Sequence, residues 1–208
     1  MIISLHYPKT AGTSFRQTLT SVYSESLHIY HSHRSLKDKD FYIKHNKSIV
    51  HGHLKIDDYR SMFPDAKIIT WLRDPASRVL SYYNYCKYVR EKPFSKNFGN
   101  RYKNFTDFIN SPRMDRLSNE YNIYIGNYTL EDFLFIGIME RYSVDMFLLS
   151  KILNWGRYKI KHTNKSKNIE NVQLTDEMKQ IIYRKLSKEH ELYKKVLGGN
   201  PDIWSLSI

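Results

Sequence analysis

The sequence predicts an α/β molecule of three layers, a central parallel sheet flanked by helices. Short β-rich runs at residues 2–5, 66–72 and near 135–139 alternate with stretches of helical spacing. Alternation of that kind builds a parallel sheet with its ligand crevice at the carboxyl edge. The two best-defined strand–turn–helix units each place a cation where the strand ends, Lys9 in the first and Arg73 in the second. At 208 residues the chain can bury one good core, and it reads as a single domain over 1–208.

Taken in order, Ile2-Ile3-Ser4-Leu5 forms the first strand, and Tyr7-Pro8-Lys9-Thr10-Ala11-Gly12-Thr13-Ser14 turns into a helix that shows Phe15, Leu19 and Val22 on one face. Backbone N–H groups at such a turn and helix start converge on an anion. Lys9 adds a full charge, and Gly12 admits a close backbone approach. The segment reads as a phosphate cradle. It is not the nucleoside-triphosphate loop, whose lysine follows the second glycine. A plain turn with a solvated lysine is the alternative.

The polar stretch 32–47 holds a surface helix, and Ser48-Ile49-Val50-His51-Gly52-His53 a short strand ending in a loop. Residues 66–72 form a buried strand ending in Arg73-Asp74-Pro75. A helix follows, with Pro75 in its first turn and Ala76, Val79, Tyr83 and Cys86 at helical spacing. Ser77 and Ser81 share one face of it. An arginine fork with a hydroxyl one or two turns away can hold a second phosphate; an Arg73–Asp74 pair is the alternative. Residues 90–104 lack periodicity and are rich in breakers and cations, as in a mobile loop or substrate lid. Residues 105–154 are helical around the strand near 135–139. Thr175 caps one long helix over 175–197, lined by Met178, Ile182, Leu186 and Tyr193 and stopped by Gly198-Gly199.

Thirty-three Lys and Arg against 21 Asp and Glu give a net charge of +12, which implies anionic partners or a solvated basic surface. The single cysteine, Cys86, excludes an internal disulfide and sits on an apolar helix face as a small core residue. No run of 18 apolar residues exists and Met1 opens directly into a strand, so the expectation is a cytoplasmic protein without stable membrane insertion. His28, His31 and His33 cluster as metal ligands could, but no carboxylate or cysteine set supports them, and no metal is expected. Tyr82, Tyr83, Tyr85 and Tyr88 beside Lys87 and Arg90 could stack on bases. Packing of a helix explains that row as well, and no nucleic acid is expected.

Residues 8–14, Pro-Lys-Thr-Ala-Gly-Thr-Ser, resemble the 5′-phosphosulfate loop of sulfotransferases that use 3′-phosphoadenosine 5′-phosphosulfate (PAPS). Residues 73–83, Arg-Asp-Pro-Ala-Ser-Arg-Val-Leu-Ser-Tyr-Tyr, resemble the family's 3′-phosphate segment, with arginine and serine eight apart. Phe135-Ile136-Gly137-Ile138-Met139-Glu140-Arg141 looks like its late strand and turn, and His162-Thr163-Asn164-Lys165-Ser166-Lys167 like the loop that closes over the nucleotide. The nearest flavour is the carbohydrate branch that includes the uronosyl 2-O-sulfotransferases. The resemblance implies a P-loop-like fold, PAPS as donor and adenosine 3′,5′-bisphosphate as product. It assigns Lys9, Thr10, Ala11, Gly12, Thr13 and Ser14 to the phosphosulfate, and Arg73, Ser81, Asn164 and Ser166 to the remainder of the nucleotide. The acceptor it implies is a hydroxylated glycan, neutral or already anionic. Oligomeric state is left open.

An acceptor hydroxyl needs a general base, for which histidine suits neutral pH. The His51-Gly52-His53 stretch resembles the family's catalytic segment, with His53 as the base and His51 as the second choice, orienting His53 or the acceptor. Lys9 would also stabilise charge on the bridging oxygen, and Glu140 is read as structural. Two other classes compete. One is a nucleotide-dependent kinase with Asp74 holding magnesium; the other is a non-catalytic basic module for polyanions or nucleic acid.

Overall fold

The structure, a computed structural model, describes residues 1–31, 36–90, 92–160 and 172–199. Five parallel strands form one sheet in the order β2-β3-β1-β4-β5. They are β1 (Ile2–Leu5), β2 (Leu27–Tyr30), β3 (Ile49–Gly52), β4 (Lys67–Leu72) and β5 (Phe133–Ile138). β1 is central: its Leu5 is level with Gly52 of β3 on one side and Thr70 of β4 on the other. The chain leaves β1 toward β2 and leaves β4 toward β5, in opposite directions across the sheet. The β1/β4 pair is therefore the topological switch point, where an α/β sheet opens its crevice.

Helix α1 (Gly12–Tyr23) follows β1, and two short helices, α2 (Lys39–Lys44) and α3 (Ile56–Arg60), flank β3. After β4 comes α4 (Pro75–Asn84), prolonged by a π-helical turn over Tyr85–Val89. Then come α5 (Phe94–Arg101), α6 (Phe105–Ile109), α7 (Arg113–Tyr124), α8 (Tyr142–Ile152) after β5, α9 (Asp176–Lys185) and α10 (Ser187–Gly198). Burial follows the period of each element. The inner strands are closed on both faces, as every residue of β3 is, so they read as apolar runs rather than alternations. Ile3, Val50, Ile68 and Ile136 meet α10 residues Leu192 and Val196 in one core cluster, while Phe15, Leu19, Ile69, Trp71 and Met146 build another between the sheet, α1 and α8. Cys86 is buried in a third cluster, among α4, α5, α6 and α9. Among the described residues no helix is long and apolar enough to cross a membrane.

Two expectations need revision, and one strand was missed. Residues 94–101 of the expected 90–104 loop are a helix, because Phe94, Phe98 and Tyr102 recur every four residues and Phe98 and Tyr102 are buried against Tyr83 and Phe108. The single helix expected over 175–197 is two helices that bend at Leu186, whose φ/ψ of −110°/40° is not helical. Ile182 and Leu186 pack with α4 and α6, whereas Leu192, Tyr193 and Val196 pack beneath the sheet, and one straight rod cannot serve both surfaces. β2 was not anticipated; four residues containing a histidine and a tyrosine give too short a pattern to stand out.

Candidate active site

The first wall of the site is the turn after β1. Lys9 and Ala11 both lie in the left-handed region, with φ of 67° and 57°. Non-glycine residues there carry strain of about 1–3 kcal/mol each, and such strain gathers at ligand clamps. Thr10 is buried between them and its hydroxyl donates to the Tyr7 carbonyl at 2.7 Å, so that side chain holds the loop and does not face outward. Helix α1 begins at Gly12 with no side-chain cap and no acidic residue in its first turn. The first-turn N–H groups of the helix and the positive end of its dipole thus meet the strained turn, the arrangement that favours an anion.

Helix α4 is built the other way. Asp74 caps it, accepting from the Ser77 N–H at 2.8 Å, and Asp74 also accepts from the Tyr183 hydroxyl at 2.7 Å. The Asp74 N–H donates to Glu140 at 3.1 Å, and Glu140 further accepts from Tyr193 at 3.3 Å. Glu140 is thus tied into the turn around Asp74. These contacts use the acids and leave Arg73 unclaimed: among the described residues no carboxylate stands within ion-pair distance of it or of Lys9. The alternative of an Arg73–Asp74 pair is not what forms. Arg73 is half-buried, and burial weakens its hold on the proton while Glu140 and Asp74 act in the opposite sense. Lys9 is lowered by burial, and by the nearby Arg73 charge, and its Nζ lies 4.1 Å from the Tyr85 ring centroid. Two cations from adjacent strand ends are held near each other with no ion-pair partner among the described residues. Ser81, two turns along α4 from Arg73, is half-buried.

The third wall is a stack of imidazoles. His53, exposed at its outer edge, stacks on His6 with centroids 4.0 Å apart and planes inclined by 21°. His6 also lies parallel to His51, at 5.5 Å and 11°. The other side of His6 presses on Gly12: a Cβ at Gly12 would sit 1.9 Å from the His6 ring. Gly12 therefore makes room for His6 as well as for a close backbone approach. His51 is 1% exposed and its Nδ1 is 2.9 Å from the Ser4 hydroxyl; its Nε2 makes no close hydrogen bond among the described residues, though the Gly12 backbone favours its protonated form. Burial among cations and other imidazoles keeps all three rings neutral. His6 is pushed down to about 2, first by burial and then by His53 and His51. His51 falls to about 4, chiefly through burial. His53 is lowered by burial and by Lys9, against the pull of the His6 backbone.

The carboxyl edge thus gathers Lys9, Gly12, Thr13, Arg73 and His53. It keeps Thr10 and His51 inward, so neither can touch an acceptor through its side chain. Asn164, Ser166 and the stretch 162–167 lie outside the described residues, as does His33. Among the described residues no group of three His, Cys, Asp or Glu side chains gathers as metal ligands. The tyrosine row packs rather than lining a binding face as a unit: Tyr83 is buried and Tyr82 stacks on Phe108, while Tyr85 and Tyr88 are exposed.

Sequence reasoning missed His6, whose signal was only its position directly before Tyr-Pro-Lys. It also missed Arg78, which is fully buried beneath the site. Arg78 binds Glu189 of α10 through two bonds of 2.6 and 2.8 Å and Glu120 of α7 at 2.7 Å. The Tyr7 hydroxyl donates to Glu189 at 2.8 Å, so this network anchors the residue that opens the Lys9 turn.

No protein-family model and no curated protein matches the chain. Among solved structures, the sulfotransferase from Alicyclobacillus acidocaldarius superposes with a TM-score of 0.50 over 98% of this chain and 98% of its own, at 11% identity. A mouse sulfotransferase, SULT7A1, complexed with PAP, gives a TM-score of 0.44 at 13% identity, covering 91% of this chain and 65% of its own. What this chain shares with the bacterial enzyme is the fold, a five-stranded parallel sheet between helices.

Proposed function

We propose that this protein is a sulfotransferase of the carbohydrate branch, moving a sulfuryl group from PAPS to the hydroxyl of a glycan in a cytoplasmic setting. One observation carries the reading. An uncapped helix N-terminus with Lys9, and the unpaired Arg73, stand at the ends of the adjacent strands β1 and β4. Two anion-binding points one strand apart suit a nucleotide with phosphates at both ends of its ribose. The motif resemblance at residues 8–14 and 73–83 supports the same donor, whose bound form supplies the activated sulfuryl group.

The chain's own groups would then divide the work. The amides of Ala11, Gly12, Thr13 and Ser14 hold the 5′ side, while Arg73 and Ser81 hold the 3′-phosphate, with Asn164 and Ser166 assigned by resemblance. Lys9 stabilises charge on the leaving oxygen, a role that an unpaired and partly desolvated ammonium performs well. His53 takes the acceptor proton. It is the exposed ring of the stack and it is neutral at pH 7, the state a base requires. His6 positions it by stacking, with Gly12 and the buried His51 backing His6. Sulfuryl transfer through a loose transition state rests on alignment and charge stabilisation, so a rigid stack beside a fixed cation is the right kind of machine.

The test is incubation with isotopically labelled PAPS and a panel of hydroxylated glycans, read by mass spectrometry for transfer of the labelled group. Transfer that persists in chelator and vanishes in His53→Ala supports the proposal. No transfer to any hydroxyl, or transfer undiminished in His53→Ala, contradicts it.

A further inference from the structure

A sizeable hollow lies away from the Lys9–Arg73 edge. It lies between α5 and the start of α7, is open on one side with a volume of about 670 Å³, and none of residues 6–14, 73, 77 or 81 lines it. That volume is in the usual range of small-molecule sites, roughly 300–1,000 Å³. Its walls have two chemistries. Phe94, Phe98 and Tyr102 supply ring faces, and Arg101, Arg113 and Arg116 supply three guanidinium groups, with no carboxylate among the lining residues.

None of the three arginines has an ion-pair partner among the described residues. Arg113 gives one nitrogen to the Tyr82 hydroxyl at 2.7 Å, while its buried Nε has no hydrogen-bond partner among the described residues. Glu120, whose field Arg113 feels, is already bound to Arg78 at 2.7 Å. Three guanidinium groups line the hollow with no carboxylate among the lining residues, and a buried donor left without a partner has a cost. A ligand with one strongly anionic group would answer both, the guanidinium forks gripping its oxygens while the ring faces cover its body.

We infer that this cavity is a second ligand site, selective for a flat ring compound that bears a sulfonate, sulfate or carboxylate group. It is separate from the nucleotide edge, and the inference does not depend on the sulfotransferase reading.

The probe is 4-nitrobenzenesulfonate, with neutral 4-nitrobenzyl alcohol as the comparator, titrated calorimetrically into the full chain. The sulfonate should bind at least tenfold more tightly than the alcohol, and saturating adenosine 3′,5′-bisphosphate should not displace it. The exposed pair Arg101→Gln/Arg116→Gln should remove the tenfold preference, and Arg73→Ala should leave it unchanged. Asn97→Trp, on the exposed rim, should block both compounds without touching an arginine. Circular dichroism checks that each variant is folded. Equal binding of the two compounds, displacement by the bisphosphate, or sulfonate binding that survives both Asn97→Trp and the arginine pair would overturn the inference.

Discussion

At the scale of single residues, the account turns on three imidazoles with three different duties. His53 is exposed and neutral, His6 is the plate it stacks on, and His51 is the buried support bonded to Ser4. His53→Ala should leave adenosine 3′,5′-bisphosphate binding intact while turnover falls about 10²–10⁴-fold, the usual contribution of a positioned base; single-turnover assays beside calorimetry separate the two effects. The lowered affinity of His53 for protons places the acid limb of its rate profile below pH 6.5. Replacing His6 by alanine exposes the ring to water, so that limb should move up toward 6.5. His6→Phe keeps the stack and should hold the limb near its original place. A limb that ignores both changes would show His6 to be mere filling.

The same rings set how stability responds to acid. His51 and His6 bind a proton near pH 6.5 when unfolded but only near 4 and 2 when folded. Below pH 6.5 the unfolded chain therefore takes up protons that the native chain refuses, and stability falls as pH falls, by up to about 1.4 kcal/mol per pH unit for each ring. His51's part of that slope ends near pH 4. Urea denaturation between pH 7 and 4 measures it, and His51→Asn, if it folds, should be visibly flatter. The His-Gly-His pattern was legible in the sequence because two histidines sit two apart in an extended run. His6 was not, since its meaning comes from contacts with Gly12 and His53 across the turn.

Among the elements, helices α4, α7 and α10 are joined by a charge cluster with no solvent access at its centre. Arg78 is 0% exposed and Glu189 is 2% exposed. Removing one partner of such a pair leaves a buried charge unmatched, at a cost of about 3–5 kcal/mol. Arg78→Met should lose that much stability in urea titrations, and the double variant Arg78→Met/Glu189→Leu should recover part of it. If Arg78→Met proves neutral, the network does not anchor α10. The apolar faces of α1 and α4, the Pro75 start and the Thr175 cap were all readable, because local spacing and capping chemistry determine them. The bend at Leu186 and the helix over Phe94–Arg101 were not. Each is set by where distant surfaces lie, α4 and α6 on one side and the sheet on the other, and a linear pattern does not carry that information.

For the molecule as a whole, strand order brings two remote motifs to one edge of the sheet. Residues 9 and 73 are far apart in sequence, yet β1 and β4 are hydrogen-bonded neighbours whose connections diverge. Strand–helix alternation foretold a parallel sheet; it could not give the position of β2 or the order β2-β3-β1-β4-β5, which follow from crossovers. The net charge of +12 is consistent with an anionic ligand, but the charge matters here by location, in two neighbouring cations that form no ion pair among the described residues.

The most direct measurement is a calorimetric comparison of adenosine 3′,5′-bisphosphate with AMP, on the unaltered chain, Lys9→Ala and Arg73→Ala. The account requires the unaltered chain to prefer the bisphosphate by tenfold or more. Arg73→Ala should erase that preference while still binding AMP, and Lys9→Ala should weaken both nucleotides. Equal affinity for the two nucleotides in the unaltered chain, or a preference that survives the loss of Arg73, would contradict it.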